Sequence, residues 1–419
     1  MKICVFGTTL QAGVIAGLFA EYGHQVIWCP QVELEHQTSV SYQDEHLNQL
    51  ILKQINNEAL TFSNLKNIPF NSEVFILSLN PSEFEQAEYL AHFLESQPIT
   101  HPKLMINGST FGLHGTEKLK QILSSDHWAY LPDMIQEGNT IESFIALKQI
   151  LVGVDHVETE VLVKELLRPF FQLKSQYLFM PFLDAEFTKL SISGMLATRI
   201  SYMNDMAQVA EKLDIDIENI KQGLASDSRI GSTYLSPGVG FGGENFSHDI
   251  LTLTGTISGS GVKSQLLEQV WNINEQQKEI LFRKLWNYYQ GQLTGKVVAI
   301  WGASFKENTS SIENSPIHAM LTALWAQGVI VQLHDPQALA QIRKVYGQRD
   351  DLILYDDQYQ AIENAQALCL LTAWKQYWSP DYSHLLQEMA HPLILDGRNI
   401  YDPDYVKEQG FAYQGVGRV

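Results

Sequence analysis

The stretch KICVFG, residues 2–7, is a short β-rich run closed by a glycine. Residues 11–22 follow with apolar side chains at helical spacing, Val14, Ile15, Leu18 and Phe19, and Gly23 ends that run. Residues 24–29 are again β-rich. Strand, glycine turn, helix, strand is how a dinucleotide-type α/β unit begins. One lysine followed by a mostly apolar stretch also suits a signal peptide. Thr8, Thr9 and Gln11 interrupt the stretch, however, and strand, turn and helix is the better reading.

Further along, residues 73–79, 103–106 and 149–154 are buried-strand runs, with helical stretches near 83–95 and 115–124. This alternation predicts a parallel doubly wound sheet. From 182 to 213 one helical pattern carries Phe187, Leu190, Met195, Leu196, Ile200, Met203, Met206, Val209 and Leu213, with Asp184 as the expected N-cap. A helix of about 30 residues is ~45 Å long, so it should bridge lobes or form a subunit interface, its methionines adding apolar surface. A second long helical run is expected over 263–292, with Trp286, Tyr288 and Tyr289 packing at a helix end or subunit contact. Then the opening returns as KVVAIWG, 296–302, followed by a helix near 316–327, a strand at 329–333 and the turn His334-Asp335-Pro336. Residues 367–371 and 392–395 are further strand runs. The expectation is an α/β chain of two Rossmann-like lobes, 1–181 and 294–419, joined by a long central helix and helical region, 182–293.

The 419 residues are 45% hydrophobic and 18% charged, which is globular composition. The net charge of −19 repels phosphate backbones and argues against a nucleic-acid partner. Cys4, Cys29 and Cys369 are far apart with no CxxC spacing, so neither a disulfide framework nor a cysteine-rich zinc site is expected, and a reducing cytoplasm is. The 13 histidines include no HExxH pair, and no metal is expected. No apolar run reaches the ~20 residues of a membrane span.

Four stretches carry a resemblance. DAEFTKLSISGMLATRISYMND (184–205), SDSRIGSTYLSPGVGFGGENFSHD (226–249), GASFKENTSSIENSP (302–316) and DGRNIYDP (396–403) resemble, in order and spacing, the UDP-glucose/GDP-mannose dehydrogenase family. The resemblance implies oxidation of a sugar alcohol to a carboxylate with two NAD. A cysteine thiolate adds to the intermediate aldehyde, and water hydrolyses the resulting thioester.

The family's loop reads roughly G-[YF]-G-G-x-C-[FL]-P-K-D. Here it is Gly240-Phe241-Gly242-Gly243-Glu244-Asn245-Phe246-Ser247-His248-Asp249, with Asn245 at the cysteine's place. A neutral amide is no nucleophile toward an aldehyde. The family's base constellation is a lysine, an asparagine four residues later on one helix face, and the loop aspartate. Lys189 and Asp249 match it, and the asparagine is Ser193. The family's S-T-[VI]-P appears as Ser109-Thr110-Phe111-Gly112, keeping Thr110. Its P-E-F-L-R-E appears as Pro132-Asp133-Met134-Ile135-Gln136-Glu137, keeping Glu137 and shortening the first glutamate to Asp133.

The resemblance also implies NAD. The first turn, Gly7-Thr8-Thr9-Leu10-Gln11-Ala12, departs from G-x-G-x-x-G at its second glycine, where Thr9 sets a branched side chain against the phosphates. Ala12 is tolerable. The acid expected after the second strand is Pro30, which offers a ribose no hydrogen bond. Both argue against ordinary NAD binding. The sugar-nucleotide side is better kept. Arg229, by resemblance, reaches the sugar across a dimer interface. Tyr234, Phe241, Gly242 and Gly243 match the loop on the nucleotide sugar, and Lys306 and Arg398 match cations near the nucleotide.

Plainer readings stand beside these. Lys189 could be a solvated helix lysine, Arg229 an ion-pair partner, Gly242–Gly243 a turn, and Lys306 and Arg398 charges that hold the fold. Two functions follow: a homologue that binds a nucleotide sugar, chiefly a UDP-sugar, or acts as a scaffold; or an enzyme that still performs the whole oxidation or its alcohol–aldehyde step. The changes at Thr9, Pro30, Ser193 and Asn245 favour the first.

Overall fold

The computed structural model describes residues 1–30, 40–97 and 103–418. Two compact units divide it, Met1–Ile192 and Ser193–Val419. The first holds eight strands: β1 (Lys2–Phe6), β2 (Gln25–Cys29), β3 (Leu60–Phe62), β4 (Val74–Leu77), β5 (Leu104–Asn107), β6 (Trp128–Tyr130), β7 (Ile150–Val154) and β8 (Tyr177–Met180). Their spatial order is β3-β2-β1-β4-β5-β6-β7-β8, so the order reverses beside β1. The pairings are parallel except β6 with β7, which is antiparallel. The expected all-parallel sheet is corrected there: the connection from β6 to β7 holds only a six-residue helix, Thr140–Ile145, and the chain reverses direction. Strand interiors read as continuous apolar runs because both faces are covered, by a core around Phe19, Trp28 and Phe171 and by another around Phe75, Leu90 and Trp128.

The second unit's sheet holds β9 (Val297–Trp301), β10 (Ile330–His334), β11 (Leu352–Tyr355), β12 (Ala367–Leu370), β13 (Leu393–Asp396) and β14 (Ala412–Gly415). Its order, β11-β10-β9-β12-β13-β14, is the Rossmann order, and all its pairings are parallel. The chain is thus α/β with two Rossmann-like lobes and a central long helix.

That helix runs Phe182–Lys212, 31 residues. It starts directly after Pro181, so Asp184 lies in its first turn and is not the N-cap, though its charge still suits the positive helix end. Met195 is 63% exposed, whereas Met203 is fully buried in the second unit's core and adds nothing to the surface. The helix expected over 263–292 is instead two, Leu266–Gln277 and Ile280–Tyr288. The ladder breaks without glycine or proline because Glu279 takes φ −96°, ψ 3°. Tyr288 Oη lies 2.8 Å from His391 Nε2, and Tyr289 Oη donates to the Gln366 carbonyl, so this helix end is anchored within its own unit. Among the described residues no helix is long and apolar enough to cross a membrane, and no group of three potential metal ligands occurs.

Candidate functional site

In the first unit the helix Leu10–Glu21 follows Gly7. Gly7 has φ +103°, and a Cβ there would lie 2.0 Å from the Ser78 carbonyl oxygen. Only glycine fits this close approach. Thr9 has φ −62° and ψ 160°, ordinary N-cap geometry, so the backbone at the altered glycine asks for no glycine. Its hydroxyl accepts from Ala12 N–H at 3.1 Å and lies 2.5 Å from Ser78 Oγ. Leu10 begins the helix, Ala12 is buried behind it, and Pro30 is buried after β2.

Thr110 is buried in the segment after β5, Glu137 and Asp133 lie half-buried after β6, and Lys189 is half-buried on the long helix. One organiser of this region is missing from the motifs. Glu186, buried one turn before Lys189, accepts from His114 N–H at 2.7 Å and Thr116 N–H at 2.9 Å. It thereby caps the helix Gly115–Ile122 from a distant segment. Burial pushes its carboxyl above the usual range, against the pull of those amides. Thr116 Oγ1 accepts from Asn107 Nδ2, and Asn107 Oδ1 accepts from Ser109 N–H. A buried polar chain therefore runs from Glu186 to the neighbour of Thr110.

In the second unit the helix Glu244–Gly259 presents Asn245, exposed in its first turn, and Asp249, buried one turn later. Ser193 Oγ lies 2.7 Å from Asp249 Oδ2. His248, between them in sequence, is half-buried, and desolvation lowers its pKa. Cys4, Cys29 and Cys369 are buried inside strands, and burial raises the pKa of Cys4 and Cys369. None of the three sits on the loop or helix that carries Asn245.

The glycine loop packs on the segment that follows β9. A Cβ on Gly242 would lie 2.6 Å from the Asn314 carbonyl oxygen, and Gly243, at φ +92°, donates to the Glu313 carbonyl and lies against the Phe305 ring. Phe241 is buried against Phe246 and Trp271. Asn274 grips Phe241 through both its backbone groups, at 2.7 and 3.1 Å, while Gln277 Nε2 and Asn204 Oδ1 hold Gly238. Lys278, nearly buried, donates to Asn314 Oδ1 at 2.5 Å and pairs with Glu275. Motif reading did not find these residues. Their signal was faint: Asn274 and Gln277 are polar groups one turn apart on a face that also carries Val270.

The cations separate by role. Lys306 Nζ stands 5.6 Å from the centre of the Phe305 ring, the ring Gly243 lies against. Arg398 donates to the Leu371 carbonyl at 2.6 Å and the Phe305 carbonyl at 3.1 Å, so part of its fork holds backbone. Arg229 is 87% exposed and bidentate to Asp227, and Tyr234 nearby has φ +59° and is exposed. In the second lobe the acid after the second strand, Asp335, accepts from Ala303 N–H, Ser304 N–H and Trp374 Nε1. Its carboxylate holds the turn after β9 as well as the Gln337 and Ala338 N–H groups of its own turn.

Three domain families match the chain in sequence. The NAD binding domain of the UDP-glucose/GDP-mannose dehydrogenase family matches residues 1–171, the central domain 183–276 and the UDP binding domain 299–403. The UDP-glucose 6-dehydrogenase of Pseudomonas aeruginosa is 32% identical over 443 residues, covering 100% of this chain and 98% of its own. The enzyme of the same description from Rickettsia bellii is 27% identical, covering 97% of each. A UDP-glucose dehydrogenase structure from Pyrobaculum islandicum superposes with a TM-score of 0.85 at 22% identity, over 100% of this chain and 98% of that one, a likeness of fold.

Proposed function

The chain belongs to the UDP-glucose/GDP-mannose dehydrogenase family, and we propose that it binds a UDP-sugar without performing the family's NAD-dependent oxidation to the acid. One observation carries this: Asn245 occupies the nucleophile's position, exposed at a helix start, while every cysteine is buried within a strand. No thiolate is available for the aldehyde. Lys306, on the Phe305 ring that Gly243 lies against, and the exposed Arg229 support binding of the diphosphate and sugar.

The other reading is an enzyme limited to the alcohol–aldehyde step. The Ser193–Asp249 pair favours it, since a buried carboxylate on a hydroxyl is the kind of group that holds a reacting water. We read the protein as cytoplasmic, dimeric through the long helix, and divided at 1–181, 182–293 and 294–419. Calorimetry and thermal shift with UDP, UDP-glucose, UDP-glucuronate and GDP-mannose test the binding, and NADH formation with UDP-glucose tests the chemistry. Binding of a UDP-sugar without two-equivalent NADH formation is expected. Steady formation of two NADH per sugar, or no stabilisation by any of the four nucleotides, ends this reading.

A further inference from the structure

In an open α/β sheet a dinucleotide lies outside the carboxyl ends of the strands where the strand order reverses, with its diphosphate on the glycine turn. Here that point is between β1 and β4. Side chains of this chain already cross it. Ala12 N–H donates to Thr9 Oγ1, which lies 2.5 Å from Ser78 Oγ just past the end of β4. Ser78 Oγ donates to Gln11 Oε1 at 2.9 Å, and Gln11 Nε2 donates to the Leu131 carbonyl just past β6 at 3.0 Å. Gln11 fills the space so closely that a Cβ on Gly108 would lie 2.4 Å from its Oε1. Thr9, Gln11 and Ser78 are all buried.

A second set of contacts grips the turn from the other side. Tyr42 Oη lies 3.2 Å from the Thr8 carbonyl oxygen and 3.0 Å from that of Thr9, placed to donate to either. The Tyr42 ring packs on Gly13, where a Cβ would lie 2.5 Å from it. Asn48 fixes Tyr42 through both backbone groups, at 2.8 and 2.6 Å. Trp28 Nε1 donates to the Gly7 carbonyl at 2.8 Å and stacks on Tyr42 with the rings 8° apart. Pro30 then stands where a ribose hydroxyl would seek an acceptor.

We propose that the first lobe is closed to NAD by its own side chains, Thr9, Ser78 and Gln11 bridging the switch point and Tyr42 clamping the turn. NAD is the cofactor the family implies, and these residues do not fit it. The side-chain polar groups of Thr9, Ser78 and Gln11 and the Ala12 N–H are already paired there, so a diphosphate that engages them has to displace protein hydrogen bonds rather than water. This inference is independent of Asn245 and of the sugar-nucleotide site.

The test is calorimetry and thermal shift with NAD and NADH on the wild type, Thr9→Gly and Thr9→Gly/Tyr42→Ala, each also titrated with UDP-glucose. At about 5 mM NAD the wild type is expected to show no stabilisation. The double variant is expected to bind NAD at least about tenfold more tightly than the wild type. UDP-glucose should bind all three alike, because the substitutions lie in the other unit. Stabilisation of the wild type at about 5 mM NAD, a dissociation constant below about 5 mM, overturns the proposal. So does a folded double variant that binds no better than the wild type. If the double variant fails to fold, Thr9→Gly alone decides the same question, since glycine is a tolerated N-cap. Failure of all four nucleotides, UDP-glucose among them, to bind the wild type strikes the proposed function and leaves this result standing.

Discussion

Ser193 and Asp249 meet at 2.7 Å, hydroxyl to carboxylate, from two different helices, and both are buried. The serine side chain ends on the carboxylate. The pair joins two elements of the second unit, and its hydroxyl serves the aspartate.

Ser193→Ala should therefore lower stability by about 1–3 kcal/mol, the usual cost of taking a partner from a buried polar group. Guanidinium unfolding measures this directly. An unchanged midpoint would show that the hydroxyl contributes nothing to holding Asp249.

Asn245→Cys places a thiol in the exposed first turn of a helix, where the helix end favours the thiolate. It should react with maleimide rapidly while Cys4, Cys29 and Cys369 stay unlabelled in the folded protein. It should still not oxidise UDP-glucose to the acid, because the first lobe is unchanged. Family-like NADH production by this single variant would refute the closed first lobe.

Arg229→Ala and Lys306→Ala should each weaken UDP-glucose binding by roughly tenfold, about 1.4 kcal/mol. Neither should shift the melting temperature of the ligand-free protein much, Arg229 being an exposed pair with Asp227. Arg398→Ala should lower that temperature, because it strips donors from the Leu371 and Phe305 carbonyls.

On the long helix Met195, Tyr202 and Val209 are exposed at seven-residue intervals. A seven-residue apolar repeat is the seam two helices share. Light scattering at micromolar concentration should give a dimer, and Met195→Asp/Val209→Asp a monomer. A monomeric wild type would discard the interface.

Glu186 supplies a pH dependence. Burial is the largest influence on its carboxyl and raises its pKa. Between the ordinary glutamate value and the raised one the folded chain holds more protons than the unfolded. The contribution of this group is present below that window and is lost as pH rises through it. Stability curves from pH 4 upward should be flatter across that window in Glu186→Gln than in the wild type. A variant curve parallel to the wild type would assign the slope to other groups.

Much of the fold was legible because burial on both sheet faces makes each strand a bare apolar run. The strands β1, β2, β4, β5, β7, β9, β10, β12 and β13 all announce themselves this way. The three-residue strands β3 and β6 did not, being too short for a pattern to rise above its flanks, nor did β8, β11 and β14, which are only partly buried. The antiparallel β6–β7 pairing is a property of the connection, which no periodicity records. At the candidate sites, motif positions named Asn245, Thr9 and Asp249, but not what they touch. Gln11, Ser78, Tyr42 and Glu186 act through contacts across 34 to 120 positions of chain, and each looks ordinary in its own neighbourhood.

The border between the two compact units falls between Ile192 and Ser193, inside the uninterrupted helix Phe182–Lys212. A chain divided there would leave four amides and four carbonyls without their ladder partners. No loop therefore offers itself as a place to separate the halves. A fragment of the first lobe must also keep Phe182, Ala185 and Glu186, which are buried in it, so it is best expressed with the whole helix, as residues 1–212.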